Sequence, residues 1–320
     1  MTPADHTHPD PTVLPLSRTP LARLIDALNG PGLWLDVGAA TLRIRSPLPL
    51  LASQIQAVYP HFPFRGHGEW SDADVVIEPV RGLRRWIRPQ IELSSDGQVL
   101  FEPFPADSPL PLMEWGCNWL IGQRMNHLLL FHAGALERNG HALLLPALPG
   151  SGKSTLSAAL SQRGWRLMSD EFGAFDPGSG ALVPILKPAA LKNESIDVMR
   201  RFEPTATLRP NFPRTRKSTM AHLAAAPAAV ARRHESATPG AVVLPRWKAG
   251  SPTVWEDLPP SQAFSALAFN AFNYTVLGAE GLDAALDVAR QCPAWSLTYS
   301  DLDDAIASLN ARWPHGARHA

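Results

Sequence analysis

The stretch Ala147–Thr155 reads ALPGSGKST and follows the apolar run HALLLP (His141–Pro146). Phosphate oxygens need several backbone N–H donors converging on one point, and only small residues let a main chain approach that closely. Gly150 and Gly152 supply the unusual dihedrals, Lys153 a positive charge for β- and γ-phosphates, and Ser154 a hydroxyl where Mg2+ is expected. The next residues, TLSAALSQRG, read as an alanine- and leucine-rich helix stopped by Gly164. Its N-terminus would add the positive end of a helix dipole. The pattern usually begins with glycine, and Ala147 stands in that place; the tight turn mainly requires a small side chain. The competing reading, a Gly/Ser turn capping an ordinary helix, leaves the apolar run before the loop unexplained. The candidate nucleotide-binding residues are therefore Ala147, Pro149, Gly150, Ser151, Gly152, Lys153, Ser154 and Thr155.

A phosphate loop alone does not separate ATPase, GTPase, motor and kinase, so its neighbours matter. Asp170 and Glu171 follow WRLMS, 17 and 18 residues after Lys153. Paired carboxylates at a strand end can divide labour, one holding Mg2+ and the other accepting a proton from an attacking hydroxyl. His132, in FHAG, lies 21 residues before Lys153 on an apolar run that should neighbour the loop strand. A histidine there can hydrogen-bond one carboxylate and tune its pKa. The segment between, LLLFHAGALERNGHALLLPA, reads as two strands joined by the turn Arg138-Asn139-Gly140.

Composition narrows the classes. The 320 residues are 45% hydrophobic, and 29 basic residues balance 29 acidic ones, so no net field draws nucleic acid or an anionic membrane. Proline, at 32 residues, is about twice the usual ~5%, which disfavours long coiled coils and solenoids. Cys117 and Cys292 form neither a disulfide framework nor a metal cluster and read as buried thiols. The apolar region Leu110–Leu145 is interrupted by charged residues and offers no window of the ~20 apolar residues a membrane span needs. The start, MTPADHTHPDPT, lacks the features of a signal peptide, and the expectation is a cytoplasmic protein.

Residues 1–13 read as a disordered tail and 14–109 as a small α+β module. In that module LWLDVGAATLRIR is two strands about a turn, LPLLASQIQAVY a helix, and DADVVIEPV and QVLFEPF further strands. Its one charged feature is RGLRRWIR (Arg81–Arg88). Residues 110–320 read as an α/β domain: the helical LMEWGCNWLIGQRM, the hairpin, the loop and helix, and the strand-acids-strand WRLMSDEFGAF. A strand ending in VVLPRW, the helices SQAFSALAFNAF and LDAALDVARQ, the strand AWSLTY and a helix capped by Ser300 close it. Lys187 and Lys192 frame LKPAALKN, and Arg214, Arg216 and Lys217 form PRTRKS, a loop that could close over charged ligands.

In its order of elements, His132-Ala-Gly, hairpin, PGSGKST, Ala/Leu helix, RGWRL and Ser169-Asp170-Glu171, the chain resembles the C-terminal catalytic domain of HPr kinase/phosphorylase. It looks most like the divergent HPr kinase-related proteins, whose LKNESI segment is matched at Leu191–Ile196. The likeness is strongest over Leu129–Phe175, weaker to Pro245 and absent from residues 1–110. It implies a P-loop kinase domain that uses ATP and Mg2+. Lys153 would bind the β/γ-phosphates, Ser154 and Glu171 the metal together with Asp170, and Asp170 would be the general base supported by His132. Lys192, Arg216 and Lys217 would meet substrate or phosphate.

The chain departs from the family in three ways. Glu171 replaces a second aspartate, Ala133 separates His132 from Gly134, and the glycine-rich signature after the acids is missing. The expected acceptor is accordingly an unidentified protein or small-molecule hydroxyl rather than HPr, with no nucleic-acid or membrane partner. Family members assemble as hexamers, so the resemblance also implies a homo-oligomer. The alternatives are a nucleotide-binding regulatory or assembly protein without kinase turnover, and a P-loop ATPase.

Overall fold

The computed structural model describes residues 14–82, 88–148, 150–208, 212–215 and 218–313. Pro149, Arg216, Lys217, the tail 1–13 and the centre of RGLRRWIR (83–87) lie outside the described residues. The chain is mixed α/β and divides into two units. One comprises the described part of Met1–Asp36 with Thr41–Cys117, the other Val37–Ala40 with the described part of Asn118–Ala320.

In the first unit, a 3-10 turn (Leu16–Arg18) and α1 (Leu21–Asn29) precede β1 (Leu33–Asp36) and β2 (Thr41–Arg45). Then come α2 (Pro49–Val58), β3 (Ala73–Pro79), β4 (Gln90–Ser95), β5 (Gln98–Val99) and β6 (Phe104–Pro105). The sheet order is β1-β2-β3-β4-β5, with β6 also on β4; only β2 and β3 run parallel, joined through α2. Alternation of buried and half-buried residues along β2, β4 and the first six residues of β3 marks one covered face. The sequence expectation of one strand in QVLFEPF is corrected: it supplies only the two-residue β5 and β6, with Leu100–Pro103 outside both. The long helix α3 (Pro109–Arg124) contains the division between units, at Cys117/Asn118.

The second unit begins with β7 (Leu129–Arg138) and β8 (His141–Pro146), followed by α4 (Lys153–Ser161), β9 (Arg166–Ser169), β10 (Phe172–Asp176) and β11 (Ala181–Val183). Next come β12 (Ala189–Lys192), α5 (Glu194–Phe202), β13 (Phe212–Thr215), β14 (Ser218–Leu223), α6 (Pro227–Ala231) and β15 (Thr238–Trp247). β16 (Val254–Asp257), α7 (Pro260–Phe269), α8 (Tyr274–Leu277), α9 (Ala279–Gln291), β17 (Ala294–Tyr299) and α10 (Leu302–Arg312) complete it. The main sheet runs β11-β10-β7-β8-β15-β17-β16, with β9 also on β7. β8, β15 and β17 are mutually parallel, and β7 is antiparallel to its neighbours.

Alternation along β7 explains the layers. Leu129, Phe131, Ala133 and Ala135 join a core with Ala263 and Leu267 of α7 and Ala285 and Val288 of α9. The intervening residues, His132 and Gly134 among them, must face the opposite side. There a Cβ on Gly134 would lie 2.4 Å from Ser157 Oγ, so glycine is what lets α4 approach the strand. The hairpin turn has Asn139 at φ 56° and Gly140 at φ 80°, the backbone a two-residue connection requires.

Two further expectations are corrected. Of PRTRKS, Pro213–Thr215 lie in β13, which pairs with β14 in a small β12-β14-β13 sheet, where an open loop was expected; Arg216 and Lys217 lie outside the described residues. The cap of α10 is Asp301, whose carboxylate accepts from the Asp304 amide at 2.9 Å, and not Ser300. Cys117 and Cys292 are both buried, and among the described residues neither is in a disulfide. Among the described residues no helix is long and apolar enough to cross a membrane.

Candidate functional site

Because β8, β15 and β17 run parallel, their C-terminal ends lie side by side, the usual place for a ligand in such sheets. The loop leaves β8 there and is pinned from the ends of β15 and β17. The Trp247 amide at the end of β15 donates to Ser151 O at 2.9 Å, and the Tyr299 hydroxyl at the end of β17 donates to Gly152 O at 3.3 Å. Gly150 and Gly152 have φ of 87° and 91°. A Cβ on Gly152 would meet the Tyr299 hydroxyl at 2.7 Å and Trp247 Cβ at 3.0 Å, so glycine is required there twice over. Gly152 caps α4 without a side chain, which leaves the first-turn amides unanswered from within the helix. Ala147 is buried and Leu148 exposed; Thr155 Oγ1 donates to Ser195 Oγ at the start of α5, at 3.0 Å.

The acids sit at a break in a strand. β9 and β10 both pair antiparallel with β7, Ser169 opposite Ala135 and Phe172 opposite His132. Asp170 and Glu171 therefore leave the ladder opposite Ala133 and Gly134. Ser169 Oγ holds the break by accepting from the amides of Glu171 (3.3 Å) and Phe172 (2.9 Å).

Asp170 is buried. Desolvation pushes its pKa up, and Glu171 adds to the rise; the Lys153 charge and the hydroxyls of Ser154 and Ser157 oppose it. Its Oδ1 and the Ser157 Oγ are fully enclosed without a partner in hydrogen-bonding geometry. Lys153, equally buried, donates from Nζ to the main-chain carbonyl of Asp170 at 2.6 Å. The loop cation, the hydroxyl expected at Mg2+ and the first acid are thus neighbours.

Glu171 is in different surroundings. Its side chain is 39% exposed, and Oε1 lies 3.6 Å from His132 Nε2. Burial lowers the His132 pKa; Lys153 and Lys192 lower it further against the pull of Glu171, so the imidazole is neutral at pH 7. His132 packs against Phe272, ring centroids 5.2 Å apart, and its amide donates to Asn270 O. The segment around Ala271 bridges to Phe131, on a stretch of β7 that β8 does not reach.

The sequence-derived residues His132, Lys153, Ser154, Asp170 and Glu171 are thus gathered at one place, with Lys192 in electrostatic reach of His132. The histidine expected to support Asp170 stands instead beside Glu171. Lys187 is drawn off: it is buried and donates to Asn118 Oδ1. Sequence reasoning missed Ser157, Ser169, Trp247 and Tyr299, which hold the loop and the acids; only Ser169 carried a local signal, as the residue preceding them.

Among the described residues no three or more His, Cys, Asp or Glu side chains are grouped to hold a metal by themselves. The residues present fit a Mg2+ that shares its coordination with phosphate oxygens: the Asp170 carboxylate is buried, has one unpartnered oxygen, and adjoins Ser154. Compared with known proteins, the chain matches no family model and no curated protein sequence.

Proposed function

We propose that the chain is a Mg-ATP-dependent P-loop kinase of the HPr kinase-related kind, transferring the γ-phosphoryl group to a hydroxyl of a protein or small molecule other than HPr. The observation that carries this reading is the unequal pair of acids beside the loop lysine. Asp170 is enclosed next to Lys153 and Ser154, while Glu171 is half-exposed next to His132. An ATPase needs one positioned water; a buried acid paired with an accessible one suits a larger acceptor that must lose a proton as it is phosphorylated.

In this reading the loop amides and Lys153 hold the triphosphate, and Ser154 with Asp170 behind it would hold Mg2+, which neutralises phosphate charge when bound. Glu171, with the neutral His132 at its side, takes the acceptor's hydroxyl proton. The acceptor oxygen forms its bond to the γ-phosphorus as the bond to the bridging oxygen breaks, and ADP leaves. The base is thus assigned to Glu171, because it can be reached by an acceptor and Asp170 is closed off.

The test uses γ-labelled ATP with the full chain and fractionated proteins and metabolites. Label should move to an acceptor in the wild type and in neither Glu171→Gln nor Lys153→Met. Glu171→Gln should bind Mg-ATP normally, whereas Asp170→Asn should lose the Mg2+ dependence of binding. Nucleotide binding with no labelled acceptor would favour a regulatory nucleotide sensor, and transfer that survives Glu171→Gln would refute the assigned base.

A further inference from the structure

The two sides of the phosphate loop differ in chemistry. On the β7 side stand His132, Asp170 and Glu171; on the β15–β17 side stands Trp247, a large aromatic side chain left half exposed. Its position is fixed rather than loose. The backbone amide of Trp247 is bonded to Ser151 of the loop at 2.9 Å, and its Cβ lies 3.0 Å from where a Gly152 Cβ would be. Its indole Nε1 donates to Ser300 O at 3.3 Å, which lays the ring across the end of β17. Half of the residue nevertheless faces solvent. The indole N–H is satisfied, the chain end is pinned, and an aromatic face is left open beside the loop. Leu148, 73% exposed, adds a second apolar group on the loop itself.

We propose that Trp247 is the platform on which the base of the bound nucleotide stacks, with Leu148 flanking it. The inference rests on the phosphate-loop reading of ALPGSGKST and extends it to the other end of the ligand. A triphosphate whose γ end reaches Lys153 and the acids, on the β7 side, must run its ribose and base the other way. That direction leads over β15 and β17, where the indole lies. A stacking platform recognises the π-face that every base has, so it provides affinity without choosing sharply among purines.

The experiment compares Mg-ATP with Mg-tripolyphosphate, which carries the phosphates and no base, by titration calorimetry on the full chain. Wild type should bind ATP more tightly than tripolyphosphate. Trp247→Ala should weaken ATP by about 5- to 150-fold, the range that loss of one base–aromatic stack produces, and leave tripolyphosphate unchanged. Trp247→Phe should restore most of the ATP affinity. Equal weakening of both ligands would mean that the side chain only shapes the loop and would overturn the platform, as would an unchanged ATP affinity. Tripolyphosphate binding without any advantage for ATP would refute the platform while leaving the phosphate loop standing. Failure of the wild type to bind either ligand would refute the phosphate loop itself, and the platform with it.

Discussion

Gly134→Ala tests how the site is assembled. Gly134 lies on β7, on the face toward α4, and an added Cβ would come within 2.4 Å of Ser157 Oγ. Ordinary contacts between such atoms are ~3.5 Å, so either the enclosed Ser157 hydroxyl must turn away or helix and strand must separate by about 1 Å. Overpacking of this kind costs about 1–3 kcal/mol, while replacing glycine in a strand returns about 0.5–1 kcal/mol, leaving a net loss of about 1–2 kcal/mol. In a unit of this size that lowers Tm by about 2–8 °C. Ser157→Ala supplies the complement. It removes the clashing oxygen, and the remaining Ser157 Cβ lies at 3.6 Å, an ordinary contact. The serine hydroxyl makes no bond of good geometry and only weakly steadies the Asp170 carboxylate, so its loss alone should cost about 1 kcal/mol or less. Urea unfolding of both single mutants and the double should therefore give a coupling of about 1–2 kcal/mol, with the double mutant near wild type. Mg-ATP affinity should follow, falling in Gly134→Ala as the start of α4 moves and recovering in the double. Wild-type stability in Gly134→Ala, or a double mutant no better than the single, would refute the close approach of α4 to β7.

The second prediction concerns Asp170→Asn, which should make the protein more stable and inactive together. Burial raises the Asp170 pKa, so the native state keeps its proton to higher pH than the unfolded chain does. Above the native pKa the enclosed charge therefore costs stability, and below both pKa values the cost is gone. Thermal scans should show a higher Tm for the mutant at pH 7 and a gain that fades on acidification. A mutant that melts earlier at pH 7 would overturn this account. Glu137 works in the opposite sense. Burial would raise its pKa, but hydrogen bonds from Arg166 (2.7 Å) and the Gly140 amide, with the charges of Arg166 and Arg232, hold it below the ordinary value. Its contribution is present above the unfolded carboxylate pKa and is lost as pH falls through the folded one. Arg166→Met should cost about 3–5 kcal/mol in urea and bring acid unfolding to higher pH; an unchanged acid midpoint would count against the network.

What the sequence made legible was local. Asn139-Gly140 specifies its turn, Gly150 and Gly152 their loop, and SDE its break between strands, because each acts through backbone conformations of its own few residues. What it hid was long-range. Nothing in AWSLTY says that Tyr299 donates to Gly152, 147 positions away, since that bond depends on β15 being inserted between β8 and β17. The pairing of His132 with Glu171 rather than Asp170 depends in the same way on strand register. Ser300 and Asp301 are both good caps, and the choice between them rests on which side chain reaches the Asp304 amide.

The unequal acids follow from that break. Between the pairs Ser169–Ala135 and Phe172–His132 each strand has two intervening residues, and the chain bends at Asp170 and Glu171. At that bend Asp170 is buried, with its main-chain carbonyl accepting from Lys153 Nζ, while Glu171 stands beside His132 with much of its side chain in solvent. Two acids in a surface turn would share one environment and compete for one role. At a break in a strand, fixed by Ser169 accepting from two successive amides, they are held apart in burial while only one residue apart in sequence. A metal-side acid and a proton-accepting acid can then be encoded as adjacent letters.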